Sequence, residues 1–207
     1  HLEWDHVDIF PTFEDMKKEF RALLKLLPEN GLLIYCGDHP VLEELRQDFF
    51  GRSLSYGLNS SNDVVLESSG SVDQHFELQL KSPWGQKYIS TSMIGRIYHL
   101  NLIGAWLSAH LGSEIPWPEL QSRLGDFSGA QRRMEILSRE PALVISDFAH
   151  HPTAIAETIQ LVKEAWPKER LVAVFDPRNA TSRRNVFESR LVEALGLADL
   201  VRIGPAP

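Results

Sequence analysis

Leu143-Val144-Ile145-Ser146-Asp147-Phe148-Ala149-His150-His151-Pro152-Thr153 is the stretch on which the fold turns. Three large aliphatic residues in a row read as a buried strand. Pro152 suits the first turn of a helix, where its missing N–H costs nothing. The polar residues between them therefore lie on a strand-to-helix loop. In open α/β sheets, ligands and catalytic groups gather at the C-terminal ends of strands, which is where this loop sits. Downstream the same rhythm recurs, with a helix over 152–166, a strand over 171–175, a helix over 183–195 and a strand over 199–203. Such alternation predicts a parallel sheet with crossover helices.

Upstream the texture differs. Thr12 followed by Asp15 is a capping-box pattern, and Phe13, Met16, Phe20, Leu23, Leu24 and Leu27 recur behind it at helical spacing until Pro28 and Gly31. A buried strand over 31–36 and a short helix over 40–48 follow. From Leu54 to Thr91, alternating pieces such as Phe76-Glu77-Leu78-Gln79-Leu80, separated by Ser, Asn, Gly and Pro, predict antiparallel strands and turns. An apolar helix over 98–111 ends at Gly112, and another starts near Pro116. The change of rhythm after Phe127-Ser128-Gly129 places a domain boundary there, giving domains over 1–128 and 129–207.

A chain of 207 residues, 43% of them hydrophobic, can bury one large core or two small ones. Its net charge of -7 argues against a nucleic-acid partner, which calls for a basic face. No apolar run has the length to span a bilayer. The single cysteine, Cys36, rules out an internal disulfide framework, fits a reducing cytosol and is expected to fill the core. Small-molecule partners and a cytoplasmic location are expected, with neither nucleic acid nor membrane. The chain opens on His1 and closes on a strand running into Gly204-Pro205-Ala206-Pro207, so we expect a piece of a longer protein.

Five segments carry residues suited to chemistry. Glu3-Trp4-Asp5-His6-Val7-Asp8 can ligate a hard divalent cation or orient phosphates before a helix, or simply be a polar capping loop. In the Asp147–Pro152 loop the two histidines can serve a site, or one can cap the helix while the other is solvated; they lack the i, i+4 spacing of a helical zinc pair. Arg132-Arg133 offers guanidinium forks that match phosphate oxygens, or a surface charge pair. Asn101, near a helix start, is a cap or a ligand contact. Arg178, in Phe175-Asp176-Pro177-Arg178-Asn179, follows a strand and is a turn residue or an anion contact.

In their order and spacing these segments resemble the Mur ligase family. Its members carry E-x-D-H-x-D, then G-x-H-N-x-x-N, F-x-G-x-x-R-R and D-D-[YF]-[AG]-H-H-P. The counterparts here lie at 3–8, 95–101, 127–133 and 147–152. The resemblance implies an α/β fold, a central-domain remnant with a mixed sheet followed by a truncated Rossmann-like C-terminal domain with a parallel sheet. It implies ATP-driven amide synthesis through an acyl phosphate, using Mg2+. UDP-N-acetylmuramate and the murein tripeptide L-Ala-γ-D-Glu-meso-diaminopimelate would be the substrates, with L-alanine as the alternative amine. A non-catalytic binder of a nucleotide or UDP-sugar, and a metal-dependent hydrolase built on Asp5, His6, Asp8, His150 and His151, are the alternatives from other classes. By the same resemblance His6 would be a magnesium ligand, and Asn101, Arg133 and Asp147 would bind the nucleotide. Arg133 and Asp147 would be catalytic, and His150 and Arg178 would face substrate. The chain departs from the pattern at Ile97, Tyr98 and Ser146, and it contains no G-x-x-x-x-G-K-[ST]. These 207 residues alone are therefore expected to have no ligase activity.

Overall fold

Gly37 and Gly57 mark the point where the first sheet is knotted together. A Cβ on Gly57 would fall on the Asp38 carboxylate, and one on Gly37 would fall on the Asn62 amide. That carboxylate accepts hydrogen bonds from the Leu58 and Asn59 backbone N–H groups and from Asn62 Nδ2, at 2.5, 3.0 and 2.8 Å. Burial pushes the Asp38 carboxyl up, but these donors outweigh it and hold it below its ordinary value. The computed structural model describes residues 2–72, 75–113, 115–177 and 185–204. They form two compact units: residues up to Glu3 with Glu14–Ser128, and Trp4–Phe13 with the chain from Gly129 on.

In the first unit α1 (Phe13–Leu24) is followed by β1 (Leu32–Cys36), α2 (Pro40–Arg46) and β2 (Arg52–Gly57). Next come β3 (Val64–Val72), β4 (His75–Ser82), β5 (Gly85–Thr91), α3 (Arg96–Gly112) and α4 (Trp117–Gly125). The five strands make one mixed sheet in the order β1-β2-β3-β4-β5. Only β3, β4 and β5 pair antiparallel; β2 is parallel to both β1 and β3. This corrects the expectation of antiparallel strands throughout 54–91. Alternation reports which side chains are buried, and it is blind to the direction of the neighbouring strand.

The alternation in β4 does what its period requires: Leu78 and Leu80 are fully buried. Against them packs α3, whose Leu102, Ile103, Trp106 and Leu107 share one helical stripe. At its start His99 is buried, and its Nε2 donates to the Met93 carbonyl at 2.8 Å. Cys36 is half-buried in β1, and burial pushes its thiol up. On the helical side, Lys17 pairs with Glu14 and Glu44, and Arg21 with Glu44 and Asp48, which ties α1 to α2.

The second unit contains β6 (Glu135–Ser138), β7 (Val144–Ser146), α5 (Pro152–Ala165), β8 (Val172–Phe175), a 3-10 turn (Asn185–Phe187), α6 (Glu188–Leu195) and β9 (Leu200–Ile203). β8 and β9 are parallel with α6 between them, as their rhythm predicts, whereas β6 and β7 form an antiparallel pair. The sequence gives little sign of β6, which is four residues long and begins on a charged one. The helix expected over 183–195 is shorter, and residues 183–184 lie outside the described residues. Ile155 and Ile159 of α5 pack against Leu191, Ala194 and Leu195 of α6, and Val7 and Phe187 complete that core. Among the described residues no helix is long and apolar enough to cross a membrane.

Candidate functional site

Three segments, the first of them far from the other two in the chain, meet within the second unit. The first is Trp4-Asp5-His6-Val7-Asp8-Ile9-Phe10. Val7 is buried and the Trp4 ring lies edge-on to Phe187 with 5.8 Å between centroids, so the segment is anchored by its apolar members. Trp4 Nε1 donates to the Phe10 carbonyl at 3.0 Å, and the Ile9 and Phe10 N–H groups both donate to the His6 carbonyl. Closing so tight a loop leaves His6 in the left-handed region at φ +52°, sparsely populated by non-glycine residues. The Asp5 carboxylate supports that conformation, since Oδ1 accepts the His6 N–H at 2.7 Å. The His6 ring stays exposed, with its Nε2 3.9 Å from Asp5 Oδ2.

The second segment is Ala130-Gln131-Arg132-Arg133-Met134-Glu135. Arg132 and Met134 are also left-handed, at φ +57° and +52°. Such strain persists only where neighbouring groups over-determine it. Here the Arg132 N–H donates to Glu135 Oε2 at 2.8 Å, and the Met134 N–H donates to Asp147 Oδ2 at 2.9 Å. Between them Arg133 is exposed, its guanidinium 5.5 Å from the centroid of the Phe148 ring.

The third segment is the loop between β7 and α5. Asp147 Oδ1 accepts the Ala149 N–H at 2.8 Å, an Asx turn, so its carboxylate joins this loop to the Arg132–Met134 turn. The Phe148 N–H donates to the Arg132 carbonyl at 2.8 Å, a second strut between the same two segments. His150 Nδ1 donates to the Phe148 carbonyl at 3.0 Å, and its Nε2 faces Asp5 Oδ2 at 3.3 Å. His151 occupies the N-cap position of α5 without a side-chain cap bond; its ring is buried edge-on to Phe187. The two histidines are thus neither a capping residue nor a solvated one.

The structure therefore brings His6, Arg133, Asp147 and His150 onto linked segments of one unit. Asn101 belongs to the other unit and lies inside α3 with its side chain exposed, not at a helix cap. Arg178 lies outside the described residues. Sequence reasoning singled out Asp5 only as a candidate cation ligand and gave Phe148 no role; the bonds from Asp5 to His150 and from Phe148 to Arg132 join segments apart in the chain and leave no local signal. Among the described residues no three His, Cys, Asp or Glu side chains converge as a metal site. Outward the arrangement offers the exposed side chains of Arg132 and Arg133, of His6, of Phe148 and of Asp8. The carboxylates of Asp5, Glu135 and Asp147 are engaged in holding loops together. The paired guanidinium groups of Arg132 and Arg133 are the part of it that suits an anionic ligand.

Residues 1–109 match the Mur ligase middle domain, and residues 132–203 match the Mur ligase, glutamate ligase domain. The UDP-N-acetylmuramate--L-alanine ligase of Magnetococcus marinus is 32% identical over 191 residues, which cover 86% of this chain and 39% of that protein. Among solved structures, a murein peptide ligase from Psychrobacter arcticus superposes with a TM-score of 0.66 at 24% identity, covering 98% of this chain and 42% of the other. The MurF ligase from Thermotoga maritima in complex with ADP gives a TM-score of 0.73 at 18% identity, over 96% and 45%. The chain spans less than half the length of these relatives. With both halves matched in order, the chain belongs to the Mur ligase family.

Proposed function

We propose that the chain is the middle and C-terminal part, over 1–128 and 129–207, of an ATP-dependent amide ligase that builds a peptidoglycan precursor in the cytoplasm. The observation that carries this reading is the bracing of three motif segments in one unit, through Asp5 to His150 and through Asp147 to Met134 and Ala149. The substrate carboxylate of UDP-N-acetylmuramate attacks the γ-phosphorus of ATP. The bond from that phosphorus to the bridging oxygen breaks, and ADP leaves. The amine then attacks the acyl carbon and loses a proton, and the carbon–oxygen bond breaks to release phosphate.

Each side chain has a place in that sequence. The exposed guanidinium of Arg133 neutralises phosphoryl oxygens, as fixed positive groups must in phosphoryl transfer. Asp147 holds the Arg133 turn in place from the neighbouring loop. Asn101 is assigned to the nucleotide and Arg178 to the substrate side on the strength of the family motifs. His150, assigned there to substrate, already has partners at both ring nitrogens. His6 would offer its exposed imidazole to a magnesium ion, which ordinarily keeps several waters and is held by one or two carboxylates and substrate phosphates. Such an ion supplies charge neutralisation on the phosphoryl group.

The amine is L-alanine on the weight of sequence relatives that carry the name UDP-N-acetylmuramate--L-alanine ligase. A second reading, the murein tripeptide, is favoured by the wording of the Leu2–Phe10, Asp147–Ile155 and Pro177–Ser182 phrases and by the fold likeness to a murein peptide ligase. The test is a ligase assay of the full-length protein with ATP and UDP-N-acetylmuramate, offering alanine and tripeptide side by side. An amide product with either amine, together with ADP, is expected. Absence of both with either amine rejects the ligase reading.

A further inference from the structure

Asp5 holds an unusual position, because its two carboxylate oxygens serve two different segments. Oδ1 accepts the N–H of His6, and Oδ2 faces the ring of His150, 145 positions away. The ring has little freedom of its own, since its Nδ1 donates to the Phe148 carbonyl and the Phe148 ring lies edge-on to it at 5.2 Å. The side chains of Asp5 and His150 are 21% and 30% exposed, shielded enough for the contact to count and open enough to require no core rearrangement when it is lost. Without Asp5, His6 would lose the acceptor that supports its left-handed backbone, and the 147–151 loop would lose the His150 contact to the Trp4–Phe10 turn.

We infer that Asp5 is a positioning residue: one carboxylate sets the distance between the His6 turn and the loop that carries Asp147. This rests on the ligase reading for its catalytic consequence, though not for its structural one. Through His150 it restrains the Phe148 carbonyl, and the Phe148 N–H in turn reaches the Arg132 carbonyl beside Arg133. The Asp5–His150 contact thus contributes to keeping the exposed imidazole of His6 and the exposed guanidinium of Arg133 in register. His150 acts here as a link rather than as a substrate contact.

The test uses the full-length protein and three variants, Asp5→Ala, Asp5→Asn and His150→Ala, with the double variant Asp5→Ala/His150→Ala. Hydrogen exchange is followed by residue, with ligase kinetics alongside. Asp5→Ala is expected to speed exchange locally over 147–151 and at His6, while the rest of the chain keeps its protection. It lowers kcat by about 10–100-fold, the usual cost of losing a group that orients a site residue, and leaves KM for UDP-N-acetylmuramate within about threefold. Asp5→Asn, which keeps an oxygen in place, recovers part of both effects. His150→Ala reproduces the local exchange, and the double variant is no worse than either single one. Exchange over 147–151 that stays as slow as in the parent, or effects of the two single variants that multiply in the double variant, overturns the inference. If the parent protein makes no amide at all, the ligase reading falls, and the exchange comparison alone still decides the role of Asp5.

Discussion

β4, eight residues of alternating polar and apolar side chains, and β8, four apolar residues, fare differently. In β4, Leu78 and Leu80 are sealed between neighbouring strands and α3, with no exposed surface. In β8, Val174 is 78% exposed, and β9 is the strand paired with it among the described residues. The first unit is thus held chiefly by sheet-on-helix packing. The second, which carries the braced motif loops, relies more on hydrogen bonds between loops: Asp147 to Met134 and Ala149, Asp5 to His150, and Asp199 to the Leu171 N–H and Lys163. Site segments sit where carboxylates join backbone polar groups in addition to apolar anchors such as Val7 and Trp4. Such ties fix direction at modest net energy, whereas apolar burial supplies bulk stability.

That contrast can be broken by mutation. Trp106→Ala, at the centre of the first core, should cost about 3–5 kcal/mol in chemical denaturation, the usual price of removing a buried aromatic ring. A cost below about 1 kcal/mol would deny that packing dominates that unit. Acid should act next. Burial pushes the His99 imidazole below its ordinary value of 6.5, even though its bond to Met93 raises it. The folded state therefore favours the neutral ring, so this contribution is present above pH 6.5 and is lost as pH falls towards the depressed folded value. Denaturation midpoints measured at pH 7.5 and 5.5 should fall on acidification, and His99→Gln should flatten the slope. The smallest effect is expected from Val174→Thr in β8, within about 0.5 kcal/mol by the same measurement.

Much of this architecture was legible in the sequence, because periodicity reports burial directly. The stripe Leu102, Ile103, Trp106, Leu107 and the alternation Phe76-Glu77-Leu78-Gln79-Leu80 each announce one packed face. Strand direction was not legible: β2 pairs parallel on both sides, and nothing in Arg52-Ser53-Leu54-Ser55-Tyr56-Gly57 records that. β6 was missed because Glu135-Ile136-Leu137-Ser138 sets only two apolar residues between polar ones. At the site, Asp147, Arg133 and His6 stood out as motif residues. The bonds that make Asp5 and Asp147 into braces join segments separated by 145 and 13 positions, and local pattern carries no sign of partners chosen by the fold.

The account stands on amide formation through an acyl phosphate, and an isotope settles that most directly. UDP-N-acetylmuramate labelled with 18O in its carboxylate is incubated with ATP, the amine and the full-length protein, and the released phosphate is weighed by mass spectrometry. The account predicts one 18O atom in each phosphate, carried over when the acyl carbon–oxygen bond breaks. Phosphate free of label, formed alongside the amide, would contradict it.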